Sequence, residues 1–126
     1  MELVILMVIV ALLEYVYFSA MVGRARGKFD IQAPAVSGNI EFERVYRAQQ
    51  NTMEQLVVFI PAIFIYNHLG SSSVAAGLGL LFVIGRAVYF YTYSRGLNRG
   101  TGFLMGFIAI IILLLASAYN VIMALL

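Results

Sequence analysis

Four long apolar segments divide this chain and constrain its fold more strongly than any single motif. They cover about residues 3–22, 53–69, 74–93 and 103–126. Each is close to the ~20 residues that a helix needs to cross the ~30 Å hydrocarbon core of a bilayer. Because 63% of the residues are hydrophobic and 11% are charged, a soluble domain of this length would have too little polar surface. We therefore predict an all-α membrane protein, a single antiparallel bundle of four transmembrane helices over residues 1–126.

The basic residues predict how this bundle is oriented. The first and third connections carry Arg24, Arg26, Lys28, Arg95 and Arg99. The second connection, residues 70–73, carries none, so the positive-inside rule places the first and third loops in the cytoplasm. Short loops without a glycosylation sequon or a retention signal favour a bacterial inner membrane, with the endoplasmic reticulum membrane as the alternative. The net charge of +2 follows from this loop bias and predicts no nucleic-acid partner.

The first apolar segment is interpreted as a retained helix rather than as a cleaved secretory signal. It begins with Glu2 where a signal peptide carries basic residues, and no small-x-small cleavage pattern precedes Arg24. All four segments are therefore counted as helices of the bundle.

A polar stripe opens the second helix. At 3.6 residues per turn, about a third of the helix circumference carries Glu43, Arg44, Arg47, Asn51, Glu54 and Gln55. Charged groups at membrane depth cost free energy and mark functional sites. The stripe therefore predicts a binding site for a polar ligand.

The residue inventory limits the chemistry of such a site. The chain has no cysteine and a single histidine, His68, which we interpret as an interfacial residue at the end of the second helix. A disulfide, a protein thiol nucleophile and a metal site are therefore not predicted. Arginine, tyrosine, glutamate and asparagine bind and polarise anionic ligands better than they attack them. A nucleophilic thiol, if one is used, comes with the substrate.

The third helix carries a second polar face. Arg86, Tyr89 and Tyr93 follow a helical spacing and share this face with Phe90. A buried arginine needs a counter-charge, and depth counted along the helices predicts an ion pair between Arg86 and Glu14 or Glu54. Arg99 precedes the fourth helix, where its charge and the helix N-terminus favour an anion such as a thiolate.

The segment from Phe42 to Gln49, with Asn51 and Glu54 after it, resembles the signature of the MAPEG family, the membrane-associated proteins of eicosanoid and glutathione metabolism. Further matches are Arg26, the pair Tyr89 and Tyr93, and the run at residues 99–103. The resemblance covers essentially the whole chain.

The resemblance implies a homotrimer that binds glutathione as co-substrate at each subunit interface. Arg99 would be catalytic, because it would stabilise the glutathione thiolate for attack on a hydrophobic electrophile or lipid from the bilayer. The residues implied to bind glutathione are Arg26, Arg47, Gln49, Asn51, Glu54, Tyr89 and Tyr93. Gln49 would reach the ligand from a neighbouring subunit. The resulting expectation is a glutathione S-transferase-like membrane enzyme, with peroxidase activity as a further option, in lipid metabolism or detoxification.

Two departures from the family pattern leave the electrophile open. Gln55 stands where leukotriene C synthase has a tyrosine, and Arg99 is one residue closer to Arg95 than in that enzyme. We therefore predict general transferase activity before any leukotriene chemistry. The main alternative is a non-catalytic lipid-binding protein resembling five-lipoxygenase-activating protein, which lacks arginine at the position of Arg47. A small multidrug exporter that uses Glu14 is a third alternative.

Overall fold

The computed structural model describes residues 1–126 and contains four α-helices and no strand. The helices are α1 (Glu2–Phe29), α2 (Ile40–Leu69), α3 (Ser72–Ser94) and α4 (Gly100–Leu125). Three of them, α1, α3 and α4, are long and apolar enough to cross a membrane. The remaining helix, α2, has 30 residues and carries the polar stripe in its first half. The predicted all-α membrane bundle is therefore confirmed.

The helices alternate in direction along the bundle. The N-terminal ammonium of Met1 lies 3.4 Å from Ser72 Oγ, and Met1 Sδ accepts a hydrogen bond from Asn67 at the end of α2. The starts of α1 and α3 therefore share one end of the bundle with the end of α2. The loops that follow α1 and α3 lie at the opposite end, which we call the loop end.

Helix boundaries differ from the apolar segments because local capping, not hydropathy, ends a helix. α1 continues past Val22 to Phe29 and ends at Asp30, whose φ of 54° is left-handed. Three basic residues that we expected in the first connection, Arg24, Arg26 and Lys28, thus lie in α1. α2 begins far ahead of its apolar segment, because Asn39 Oδ1 accepts hydrogen bonds from the amides of Glu41 and Phe42 at 2.9 and 3.1 Å.

The larger apolar core lies in the middle of the bundle and towards the end away from the loops, and a smaller cluster around Phe42 lies at the loop end. Each helix contributes buried side chains, including Val4, Phe59, Phe82 and Leu113. The rings of Phe59 and Phe82 stack at 3.9 Å between centroids. Many large apolar side chains on the outer surfaces of α1, α3 and α4 are exposed, as expected for helices that face lipid.

Small residues bring α3 and α4 into close contact near the loop end. A Cβ atom at Gly85 would lie 2.7 Å from the Gly106 amide nitrogen, and one at Gly102 would overlap the backbone of Tyr89. Gly102 and Gly106 are four residues apart, a spacing that lets membrane helices approach closely. This contact sets the start of α4 directly beside Tyr89.

Candidate functional site

A cavity of about 350 Å³ lies near the loop end, between α2, α3 and the start of α4. Its lining consists of Arg47, Asn51, Tyr89, Tyr93, Arg99, Gly100 and Phe103. Its size falls within the range of small-molecule sites, about 300–1,000 Å³. The polar faces predicted for the second and third helices therefore meet in one place, together with Arg99.

The tyrosines form one wall of this cavity. The rings of Tyr89 and Tyr93 stack at 5.3 Å between centroids, and the ring of Phe103 lies 6.3 Å from that of Tyr89. One turn of helix separates the two tyrosines, so both phenols lie on the face of α3 that meets α4. The close contact at Gly102 fixes where this wall stands relative to the N-terminus of α4.

Arg99 occupies the N-cap position of α4 and its side chain is exposed. Its guanidinium carbon lies 5.8 Å from the centre of the Tyr93 ring. No carboxylate lies within 4 Å of this guanidinium. The chain's one ion pair joins the N-terminal ammonium to Glu2. The unpaired guanidinium and the N-terminal end of α4 together create positive potential at the mouth of the cavity.

A second opening of about 440 Å³ shares Tyr93 and Arg99 with the first cavity and extends to Arg44. The Arg44 guanidinium lies against Gly96, where a Cβ atom would be only 2.8 Å from it. Gly96 has a φ of 71° and turns the chain between α3 and α4. Arg99 therefore lines two adjacent openings.

The stripe on α2 supplies the opposite wall. Arg47 is exposed and has no ion-pair partner. Asn51 lines the cavity, and its Nδ2 donates to Glu54 Oε1 over 3.5 Å. Glu54 lies beside the cavity lining rather than in it, and its side chain is exposed on the single subunit. An exposed charged stripe on a membrane helix requires a polar ligand or a protein partner.

The contacts of Arg86 differ from the ion pair that we predicted. Its side chain is fully buried, and neither Glu14 nor Glu54 lies within 4 Å of its guanidinium. Instead, Nη2 donates to Asn51 Oδ1 at 2.8 Å and to Thr52 Oγ1 at 2.9 Å. Nε donates to the same threonine oxygen at 3.3 Å, and the guanidinium lies 4.2 Å from the centre of the Tyr89 ring.

The predicted ion pair is therefore wrong. Neutral oxygens of α2 and an aromatic face surround the guanidinium instead of a carboxylate. Glu14 Oε1 is buried without any hydrogen-bond partner. Counting residues along a helix predicts the depth of a side chain in the bundle. Which side chain becomes the partner of Arg86 depends also on how each helix is rotated about its axis.

Besides Glu54, two of the predicted ligand residues lie outside the cavity of their own subunit. Gln49 is buried between α1 and α2, where its Nε2 donates to Tyr15 Oη at 2.8 Å and to Ser19 Oγ at 3.2 Å. Arg26 Nη1 donates to the carbonyl of Ala35 at 2.7 Å and so holds the first loop against the end of α1. That Gln49 reaches the glutathione of a neighbouring subunit, and that Arg26 binds a glutathione carboxylate, both stay predictions.

Sequence reasoning did not assign Thr52, Gly100 or Phe103 to the site, although the run at residues 99–103 was among the matches to the family pattern. Thr52 is fully buried, accepts from Arg86 and donates to the Ala48 carbonyl at 2.9 Å. Its position next to Asn51 was the available signal, since a buried polar side chain beside a polar stripe needs a partner. Gly100 and Phe103 carry no charge and enter the lining only because α4 begins there.

The chain matches the MAPEG family over residues 4–119. It is 42% identical over 101 residues to microsomal glutathione S-transferase 2 of Homo sapiens, which covers 78% of this chain and 69% of that protein. It is 37% identical over 87 residues to leukotriene C4 synthase of Mus musculus, covering 69% of this chain and 58% of that protein. An uncharacterized protein of Synechocystis sp. is 35% identical over 112 residues, covering 88% of this chain and 82% of that protein.

Proposed function

The chain belongs to the MAPEG family, and from this premise we propose that it is a membrane-bound glutathione transferase. It would activate the thiol of glutathione for attack on a hydrophobic electrophile that enters from the bilayer. Its similarity to microsomal glutathione S-transferase 2 and to leukotriene C4 synthase supports a glutathione-dependent transfer reaction in general.

The observation that carries the proposal is the meeting of two unpaired arginines and two phenols around one cavity. Glutathione has two carboxylates, one ammonium group and one thiol. Arg47 suits a carboxylate, because charge-assisted hydrogen bonds to a guanidinium are among the strongest available. The Tyr89 and Tyr93 phenols donate hydrogen bonds, and the exposed Glu54 suits the ammonium group.

Arg99 acts on the thiol. A thiolate, not a thiol, is the nucleophile, and the reference pKa of a cysteine thiol is about 8.5. A guanidinium and a helix N-terminus close to the sulfur stabilise its anion and lower that pKa. The thiol proton leaves to solvent at the loop end. The sulfur then forms a bond to the electrophilic carbon, whose leaving group or opened oxygen takes the electron pair and later a proton.

Assembly into a homotrimer is part of the proposal. On the single subunit, Arg47 and Glu54 are exposed, and charge facing lipid is unfavourable. Contact between subunits along α2 covers this stripe. The same contact lets Arg26 and Gln49 of one subunit approach the cavity of the next, provided that ligand binding releases them from their present partners.

The loop end faces the cytoplasm, where soluble glutathione is available.

The experiment that tests the function measures glutathione binding to the detergent-purified protein together with the ultraviolet absorbance of the thiolate as a function of pH. We expect saturable binding, and a bound thiol that ionises at lower pH than free glutathione. Binding without any shift in ionisation would remove Arg99 from the mechanism. Failure to bind would favour the non-catalytic lipid-binding alternative.

A further inference from the structure

We propose that a second groove, between α1 and α3 at the loop end, binds the head group of an anionic phospholipid. The groove has a volume of about 610 Å³ and shares no residue with the cavity around Arg99. Its rim is formed by Arg24, Lys28 and Arg95, its apolar floor by Phe18 and Phe90, and its deep end by Glu14.

The rim is the charged part of the groove. Arg24 and Lys28 come from the last two turns of α1, and Arg95 from the C-cap of α3. All three side chains are exposed and none has a carboxylate within 4 Å. Glu41 at the start of α2 also lines the groove, so three positive charges oppose one negative charge at this level. The excess positive charge complements a phosphate diester.

The floor below the rim is apolar. The rings of Phe18 and Phe90 stack in parallel at 4.0 Å between centroids, and Met21 and Ala87 also line the groove. Both walls belong to helices that are apolar and long enough to cross a membrane. A free anion such as inorganic phosphate would satisfy the rim and leave this floor uncovered, whereas an acyl chain covers it.

Glu14 fixes the orientation of the occupant. It lies ten residues before Arg24 on the same helix, which is about 15 Å along the axis. Its carboxyl oxygen Oε1 is buried without a hydrogen-bond partner, and the basic residues that line the groove all lie at the rim, so the deep end offers a phosphate no positive charge. The phosphate therefore stays at the rim, and the chains extend past Phe18 and Phe90 towards the middle of the bilayer.

The position of the groove matches the level of lipid head groups. Tyr17 and Tyr91 flank it with 57% and 55% of their surfaces exposed, and tyrosines collect at the interface between membrane and water. Basic pockets between transmembrane helices on the cytoplasmic side are known sites for anionic head groups. Charge, depth and apolar floor thus agree on an anionic phospholipid rather than on a soluble anion.

The test compares phosphatidylglycerol with phosphatidylcholine of the same chain length on the full-length protein in detergent. Native mass spectrometry counts the retained lipids, and thermal unfolding measures the stabilisation that each lipid gives. We expect preferential retention of phosphatidylglycerol. We also expect the affinity to fall by about fivefold for each basic residue removed, first in Arg24→Gln and further in the double variant Arg24→Gln/Lys28→Gln.

Arg44→Gln is the matched control, because it removes one positive charge from the same end of the bundle but outside the groove. It should retain phosphatidylglycerol like the unchanged protein. Equal loss in Arg44→Gln, equal retention of the two lipids, or displacement of the lipid by inorganic phosphate would overturn the proposal. Chemical cross-links that place a second copy of the chain in the groove would do the same.

Glutathione binding by the double variant separates this proposal from the proposed function. The groove and the cavity around Arg99 have no lining residue in common, so glutathione affinity should be unchanged when the lipid preference is lost. A protein that binds no glutathione but prefers phosphatidylglycerol would refute the transferase and leave the lipid site intact.

Discussion

Arg86 on α3 donates a hydrogen bond of 2.8 Å to the side-chain oxygen of Asn51 on α2. Because this bond occupies Oδ1, the amide nitrogen of Asn51 is directed to the other side, where it donates to Glu54. A fully buried side chain thus sets the orientation of a residue that lines the candidate site. The bond also ties the two polar helices together at the depth of the cavity.

Replacement of Arg86 by leucine should lower thermal stability in detergent. The change leaves Asn51 Oδ1 and Thr52 Oγ1 without their buried donor, and each unsatisfied group costs about 1–3 kcal/mol. Thr52→Val keeps the shape of the side chain and removes the hydroxyl that accepts from Arg86 and donates to the Ala48 carbonyl. Arg86 keeps its bond to Asn51 in this variant, so Thr52→Val should cost less than Arg86→Leu. Thermal unfolding of both variants checks this order, and an Arg86→Leu protein as stable as the unchanged chain would contradict the structural role.

Much of the fold could be predicted because the length of each apolar segment matches a bilayer. The site could be predicted in outline because helical spacing places Arg47 with Asn51 on α2, and Tyr89 with Tyr93 on α3. Periodicity within one helix says nothing about the rotation of that helix against its neighbours. For that reason the sequence suggested an acidic partner for Arg86.

The groove between α1 and α3 could not be predicted from the sequence either, because it depends on how the two helices are rotated against each other. Arg24 and Lys28 were interpreted as loop residues that report only orientation, but the helix continues past Val22 and projects them beside Arg95. Aromatic stacking of Phe18 on Phe90 joins residues that are far apart in the chain. No pattern within either helix indicates that contact.

Replacement of Arg47 by alanine should weaken glutathione binding. It removes a charge-assisted hydrogen bond to a carboxylate, worth about 1.5–3 kcal/mol, so the dissociation constant should rise by about ten- to a hundredfold. Arg24→Ala is the control, because it removes the same charge from a different groove. Equilibrium binding of glutathione to both variants is the measurement, and equal affinities would exclude Arg47 from the glutathione site.

Replacement of Gly102 by alanine should disturb the wall of the cavity. The added Cβ would overlap the backbone of Tyr89, and overpacking of this kind costs about 1–3 kcal/mol. Gly77→Ala on α3 is the matched control, because nothing lies within 4 Å of the added Cβ. There the helix should gain up to about 1 kcal/mol from alanine's higher propensity.

The measurement for this pair is the temperature of unfolding together with glutathione affinity. Gly102→Ala should lower both, since Tyr89 must move with the start of α4. Gly77→Ala should leave the affinity unchanged. If the two alanine variants unfolded alike, the contact between α3 and α4 would not be as close as the structure places it.

Replacement of Arg99 by alanine should separate binding from activation of the thiol. Arg47, Asn51 and the tyrosines still hold the tripeptide, so glutathione affinity should change little. The thiolate loses its positive neighbour, and the pKa of the bound thiol should therefore rise towards the reference value of about 8.5. At neutral pH the thiolate absorbance and the transfer rate should fall together. Arg99→Lys keeps the charge and should restore part of both, because an ammonium group at the helix N-terminus still stabilises an anion. A variant that kept the low thiol pKa after Arg99→Ala would assign activation to another group.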